Sequence, residues 1–257
     1  MSKILLIGCG NMGRALLDRW AAFSPVTIVE PNADDLPNAV KNISDLPNDL
    51  SPEVIVLAVK PQSLDQILPD IAKRFGIAPT YLSIAAGKTI SYYEKFLGEG
   101  AGIVRAMPNT PAMVGEGMTA VAGNKALKDN GKKFSEALMA AAGRTIWLDE
   151  SKMDAVTAIS GSGPAYFFHF MEALIAAGVE QGLTEEEAKL LAVQTCVGSA
   201  KLASQSDRSL STLRENVTSP GGTTAAALSV LQNADALKEL VSDAVRAAVK
   251  RARELSS

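Results

Sequence analysis

"IGCGNMGRAL", residues 7–16, decides the fold. Gly8, Gly10 and Gly13 form a G-x-G-x-x-G array directly after the apolar run "KILLI" (3–7) and directly before a helical pattern from Asn11 to about Phe23. Each glycine has its own physical task. The first permits a tight turn, the second lets the backbone approach a pyrophosphate, and the third allows a helix to pack close on a strand. The helix start offers free N–H groups and the positive end of its dipole to phosphate. The array alone is weak evidence; its context gives it weight, because the second strand, "VTIVE" (26–30), ends in an acidic residue about 20 positions on. The expected dinucleotide loop is therefore Ile7, Gly8, Cys9, Gly10, Asn11, Met12 and Gly13.

The acidic residue is Glu30. A carboxylate there can bind the adenine ribose 2′-hydroxyl and would repel a 2′-phosphate. The next residues are Pro31, Asn32, Ala33 and Asp34, with no Arg or Lys among them, so NAD(H) should be at least tolerated. Asn32 could still donate to a 2′-phosphate.

Working outward, "EVIVLAV" (53–59) is the strongest strand pattern, and "TYLSIAA" (80–86) and "GIVRAM" (102–107) continue the series. "MTAVAG" (118–123) and "RTIWL" (144–148) flank a helix at about 126–142. Strands alternating with helices indicate a parallel, doubly wound sheet. Residues 32–50, with Pro37, Pro47 and several Asn and Asp, suggest weak or short elements. Ligands of such sheets lie beyond the carboxyl ends of the strands. "LAVKPQ" (57–62) and "AAGKTIS" (85–91) fall there. Ala58, Val59, Lys60 and Pro61 are expected to wall the cofactor, with a plain strand exit as the other reading of Lys60-Pro61. Small Ala85, Ala86 and Gly87 would let the nicotinamide end lie close to backbone.

After about residue 150 no convincing strand remains. "PAYFFHFMEALIAAGVEQG" (164–182) is apolar almost all round, broken by His169 and Glu172, and such a helix is buried on most sides. "TEEEAK" opens the next helix with Thr184 as N-cap and Glu187 three positions on, a capping box. Leu237, Leu240, Val241, Ala244, Val245 and Ala248 form a 3.6-residue stripe on the last helix. A helical unit of this size lacks enough partners to bury the first of these helices, so a dimer is expected. His169, the only histidine, is read as a satisfied core or interface residue rather than a catalytic acid.

The chain has 257 residues, 47% hydrophobic, with a formal net charge of −3. That charge gives no general attraction to nucleic acid. Arg246, Lys250, Arg251 and Arg253 alternate with apolar positions and read as a solvated helix face. No apolar stretch is long enough to cross a membrane. "MSKILLIG" is too short and lacks the cleavage site for a signal peptide. Cys9 and Cys196 make neither a disulfide framework nor a metal site, and reduced thiols fit a reducing cytosol. Cys9 sits near a helix start that could lower its pKa, but its expected role is to be small.

Three further motifs, "RAMPNTPA" (105–112), "AISGSGPAY" (158–166) and "SPGGTT" (219–224), complete a pattern. With "GCGNMG", "AVKP" and "SIAAG" in order along the chain, the sequence resembles the pyrroline-5-carboxylate reductases. The resemblance implies an α/β fold: an N-terminal Rossmann-type doubly wound sheet over 1–150, then an all-helical dimerisation and substrate-binding domain over 151–257. It implies NAD(P)H-dependent reduction of 1-pyrroline-5-carboxylate to L-proline by a cytoplasmic dimer or higher homo-oligomer, using NADP or NAD. Glu30 departs from the small polar or basic residue common in the family, which leaves the cofactor preference open.

The site assignments follow from the same motifs. A substrate carboxylate needs backbone N–H donors, and Gly221-Gly222 before a helix exposes them without side-chain obstruction. Ser219 and Thr223 can add hydroxyls, and Thr224 resembles the family hydroxyl that hydrogen-bonds the imine nitrogen. An ordinary helix N-terminus is the bland reading of the segment. Ser162 borders the expected substrate pocket, Asn109 lines the cofactor site, and Asn216 resembles a family residue near the cofactor. Reduction of another small imino or keto acid is a second enzymatic reading, and a non-enzymatic dinucleotide sensor a third. The chain shows no prominent Lys or His to protonate an alkoxide, which disfavours the keto acids.

Overall fold

The computed structural model describes residues 3–20, 25–32, 36 and 39–256. Among these, eight strands form one sheet: β1 (Ile4–Ile7), β2 (Val26–Val29), β3 (Ala39–Val40), β4 (Val54–Leu57), β5 (Thr80–Ser83), β6 (Gly102–Met107), β7 (Gly117–Gly123) and β8 (Gly143–Trp147). Their order is β3-β2-β1-β4-β5-β6-β7-β8. Helices α1 (Asn11–Trp20), α2 (Leu64–Phe75), α3 (Ile90–Leu97) and α4 (Asp129–Ala140) connect them. The expected extension of α1 to Phe23 falls on residues 21–23, outside the described residues, as do Ala33, Asp34 and Pro37.

Strand alternation builds a core on each face. Ile4 and Leu6 pack on one side with Leu16, Trp20, Leu138 and Met139. Leu5 and Ile7 pack on the other with Leu64, Leu68, Ile71 and Tyr93. Both faces are covered, so β1 and β4 are apolar at every position, as parallel strands require. Each large side chain removed from water here contributes about 1.5–3 kcal/mol. Trp20 pins α1 to α4 by donating its indole N–H to the Leu138 carbonyl at 2.8 Å.

The sheet departs from an all-parallel one at β6–β7, which run antiparallel. The segment between them is a short return through a 3-10 turn at Thr110–Val114. Parallel neighbours need a crossover of about a dozen residues or more, and this link is too short for one. β7 and β8, joined through α4, are parallel again. The short elements expected within residues 32–50 are β3, a two-residue edge strand, and a 3-10 turn at residues 43–45. Arg74 ties that turn to α2 by donating to the carbonyls of Ile43, Leu46 and Pro47 at 2.7–2.9 Å.

From residue 150 onward no strand is found among the described residues, and the elements are helices: α5 (Met153–Val156) running into a π-turn at Thr157–Gly161, α6 (Gly163–Glu180), α7 (Glu185–Gln205), α8 (Leu210–Asn216), α9 (Thr223–Leu231) and α10 (Ala236–Ser256). The chain divides into two compact units, residues 1–162 with 248–257, and residues 163–247. In the second unit α6 and α7 form a hairpin. Gly182, at φ +96°, ends the first helix, and the reciprocal Thr184–Glu187 capping box starts the second. Two hydrogen bonds, from the Thr184 backbone N–H and from its hydroxyl, hold the Glu187 carboxyl below its usual pKa.

Within one chain α6 is bare, in line with the expectation that its unit lacks enough partners to bury it. Gly163 is its only buried residue, and Phe167 is 64% exposed and Phe168 56%. The second unit has no further layer to cover that face. His169 is exposed on this bare face, which removes the core reading and leaves the interface one; its Nδ1 lies 3.1 Å from Glu172 Oε2. Leu240 and Val241 of the α10 stripe are exposed as well, alongside the solvated Arg246, Arg251 and Arg253.

Gly143 tests the sheet's tightest backbone approach. It pairs with Gly117 in the β7–β8 register, has φ +148°, and a Cβ on it would lie 2.0 Å from the Gly117 carbonyl oxygen. Gly98, at φ +85°, has open space around it. Gly143→Ala should therefore lower unfolding free energy by roughly 3 kcal/mol or more. Gly98→Ala should cost about 1–3 kcal/mol for conformation alone. Urea unfolding of both variants checks the difference.

Candidate active site

The strand order reverses between β1 and β4, the switch point of a doubly wound sheet, where a crevice opens beyond the carboxyl ends of the strands. The glycine array leaves β1 at this point and Ala58–Pro61 leaves β4 beside it. Gly8, at φ +88°, lies so close to its neighbour that a Cβ would meet Val59 Cγ1 at 2.7 Å and the Ala58 carbonyl at 2.8 Å. A Cβ on Gly13 would meet the Gly8 carbonyl oxygen at 2.9 Å, the close helix–strand packing read from the sequence. A Cβ on Gly10 would meet nothing within 4 Å. The middle glycine thus faces open space, where a pyrophosphate can approach the first N–H groups of α1. The donor set fits a dinucleotide.

Glu30 sits immediately after β2 and reaches the same loop. Its Oε2 accepts the Cys9 N–H at 2.8 Å, and its Oε1 accepts the Asn32 N–H at 3.1 Å. Cys9 is 5% exposed, a small side chain tucked under the loop. Lys60 is exposed and precedes a 3-10 turn beginning at Pro61.

Beyond β5 and β6 the expected residues divide. Ala85 is buried and Ala86 exposed. Gly87, at φ +77°, closes against α10: a Cβ there would meet the Leu255 carbonyl oxygen at 2.8 Å, so its smallness serves a backbone contact inside the first unit. Asn109 is fully engaged. Its Oδ1 accepts the Met118 N–H at 2.8 Å, and its Nδ2 donates to the Ser160 carbonyl at 3.1 Å and reaches Ser160 Oγ at 3.3 Å. It braces the start of β7 against the π-turn. Ser162 follows that turn, donating its N–H to the Thr157 carbonyl at 2.8 Å. π-turns inside helices occur frequently at functional sites.

Two buried polar groups escaped the sequence reading. Arg105, 7% exposed on β6, donates to Glu150 Oε1 at 3.1 Å, and the same oxygen accepts the Ile90 N–H of α3 at 2.7 Å. Ser83 Oγ and Tyr93 Oη lie 2.5 Å apart below them. Burial pushes the Tyr93 phenol up to about 12, although the Ser83 hydrogen bond and the Arg105 charge pull the other way; it stays a neutral partner. The signal for Arg105 was a lone cation inside an apolar strand.

In the second unit, Ser219–Gly222 form a turn in which the Gly222 N–H donates to the Ser219 carbonyl at 3.0 Å. Pro220 takes the second position and Gly221, at φ +71°, the third, the arrangement of a type II turn. Gly222 then starts α9 with no side-chain cap. No atom lies within 4 Å of a Cβ placed on Gly221. Ser219 and Thr223 are exposed and Thr224 is half-buried; Asn216 is the exposed last residue of α8. The chain therefore presents here a bare helix start flanked by hydroxyls, whose free N–H groups favour negative charge. Among the described residues no group of His, Cys, Asp and Glu could hold a metal ion.

Comparison with known proteins gives the family. Residues 150–255 match the family described as pyrroline-5-carboxylate reductase dimerisation, and residues 3–87 match NADP oxidoreductase, coenzyme F420-dependent. The pyrroline-5-carboxylate reductase of Pasteurella multocida is 38% identical, over 98% of this chain and 97% of its own. That of Synechocystis is 39% identical, over 97% of each. The structure of a pyrroline-5-carboxylate reductase from Coxiella burnetii matches with a TM-score of 0.91 at 37% identity, covering 100% of this chain and 99% of the other. That of the Plasmodium falciparum pyrroline carboxylate reductase with NADP bound matches with a TM-score of 0.88 at 34% identity, covering 100% and 98%.

Removing the half-buried Glu150 strands the buried charge of Arg105. Glu150→Ala leaves Arg105 and the Ile90 N–H without their acceptor, and should destabilise the protein by roughly 2–4 kcal/mol. The exposed Glu172→Ala change should cost under about 0.5 kcal/mol. Chemical denaturation of the two variants is the check.

Proposed function

This chain belongs to the pyrroline-5-carboxylate reductase family and reduces 1-pyrroline-5-carboxylate to L-proline, and we propose that the residues assigned above serve that reaction. The chain is an NAD(P)H-dependent oxidoreductase acting on a cyclic imine, and it works as a homo-oligomer. The uncapped type II turn at Ser219–Gly222 carries the site assignment. The substrate's charged group is a carboxylate, and this turn offers it backbone donors with Gly221 leaving the approach clear. The rows of exposed apolar residues on α6, α7 and α10 support assembly, because a soluble monomer rarely exposes contiguous apolar surface on this scale.

The division of labour is as follows. A bound dihydronicotinamide supplies the hydride. The glycine loop and the first turn of α1 hold its pyrophosphate, with Ala58–Pro61 as the wall across the switch point. Ser219, Gly221, Gly222 and Thr223 hold the substrate carboxylate. The ring nitrogen is basic, so the substrate can arrive from water already protonated. Thr224 then accepts the iminium N–H through its hydroxyl oxygen and can donate to the amine lone pair created by reduction. Positioning supplies most of the acceleration, which accounts for a site without a His or Lys acid. Asn109, with its amide held at both ends, fixes the π-turn that precedes Ser162. No helix among the described residues is long and apolar enough to cross a membrane. Neither cysteine forms a disulfide, and we place the enzyme in the cytoplasm.

Purified protein should oxidise NADH or NADPH when given pyrroline-5-carboxylate and ignore 2-keto acids, followed by absorbance of the reduced nicotinamide; equal rates on keto acids would reverse the substrate assignment. Thr224→Ala should lower kcat by about ten- to a hundredfold while leaving nucleotide affinity unchanged. Loss of nucleotide binding in that variant would move Thr224 out of the substrate site.

A further inference from the structure

The carboxylate of Glu30 is held from two sides. The Cys9 N–H, inside the glycine array, donates to one oxygen at 2.8 Å, and the Asn32 N–H donates to the other at 3.1 Å. The side chain is thereby fixed at the carboxyl end of β2 against the dinucleotide loop, where the adenine ribose of a bound nucleotide lies. Each oxygen uses one lone pair on these backbone donors and keeps another for a ribose hydroxyl.

A 2′-phosphate meets different conditions in the same place. It brings a charge of about −1.5 to −2 and acceptor oxygens where the site already presents an acceptor. To move aside, the Glu30 carboxylate must give up two hydrogen bonds, one of them to the backbone of a buried residue. Residues 31–40 contain no Lys or Arg that would neutralise a phosphate. An unattached glutamate could swing away; this one is locked.

We infer that Glu30, clamped to the glycine loop by the Cys9 and Asn32 N–H groups, is the specificity-determining residue that makes this enzyme select NADH over NADPH. The inference rests on the reading of the first unit as the dinucleotide site of the reductase.

The test is a direct binding titration of NADH and of NADPH into the full chain, read by nicotinamide fluorescence, alongside kcat/KM for each with pyrroline-5-carboxylate. NADH should bind about tenfold more tightly or better, the scale of one unscreened like-charge contact, with the same order in kcat/KM. Glu30→Gln removes the charge and keeps the size, and should narrow the ratio by about fivefold or more; Glu30→Ser should abolish or reverse it. Both ligands are compared on one sample, so partial unfolding of a variant cancels from its ratio. NADPH binding as tight as NADH in the unmodified protein, or a ratio unchanged in both variants, overturns the inference. NADH selected in binding without turnover of the imine leaves the inference standing and removes the assigned reaction. Turnover of the imine with NADPH favoured does the reverse.

Discussion

At Gly8 there is no room for a side chain, and the first unit is organised around that fact. The loop leaving β1 presses on the strand exit of β4 so closely that any Cβ would lie 2.7–2.8 Å from Val59 and Ala58. Only a residue tolerating φ +88° without a Cβ can make the turn. Once it is made, α1 starts directly over the switch point, Gly13 lets that helix settle on the Gly8 carbonyl, and Gly10 faces open space. Three glycines with three different surroundings leave a gap where ligand backbone contact is possible and none where packing is needed.

Polar groups set the positions that apolar packing leaves undefined. Hydrophobic burial is non-directional and would permit small slips of the loops beyond β5 and β6. The Arg105–Glu150–Ile90 contact removes that freedom, because a buried guanidinium must keep its acceptor. Asn109 does the same for the π-turn, using both ends of its amide. Glu30 does it for the nucleotide loop. In each case one side chain ties segments distant in sequence, and in each case the anchoring partner is at least partly backbone.

The second unit follows another logic. Its α6–α7 hairpin is capped well at the connection, with Gly178 close enough that a Cβ would lie 3.1 Å from Ala188 Cβ. Yet its aromatic face is left bare, with Phe167, Phe168 and Phe170 all exposed. Such a surface is stable in water only when something apolar covers it. The family's dimerisation match over residues 150–255 coincides with these helices.

The sequence by itself determined the elements and the loop chemistry. Apolar runs such as "KILLI" and "EVIVLAV" became β1 and β4, the Thr184–Glu187 spacing became a capping box, and Pro220-Gly221 became a turn with positive φ. These are local: propensity, period and backbone freedom act within a few residues, so the letters carry them. Only the tertiary structure decided that Gly87 answers to Leu255, that Asn109 is a brace, and that Arg105 is held by Glu150. Those outcomes depend on residues tens to hundreds of positions apart. A side chain's partner across such a distance is fixed by how the layers pack, and no local pattern records it.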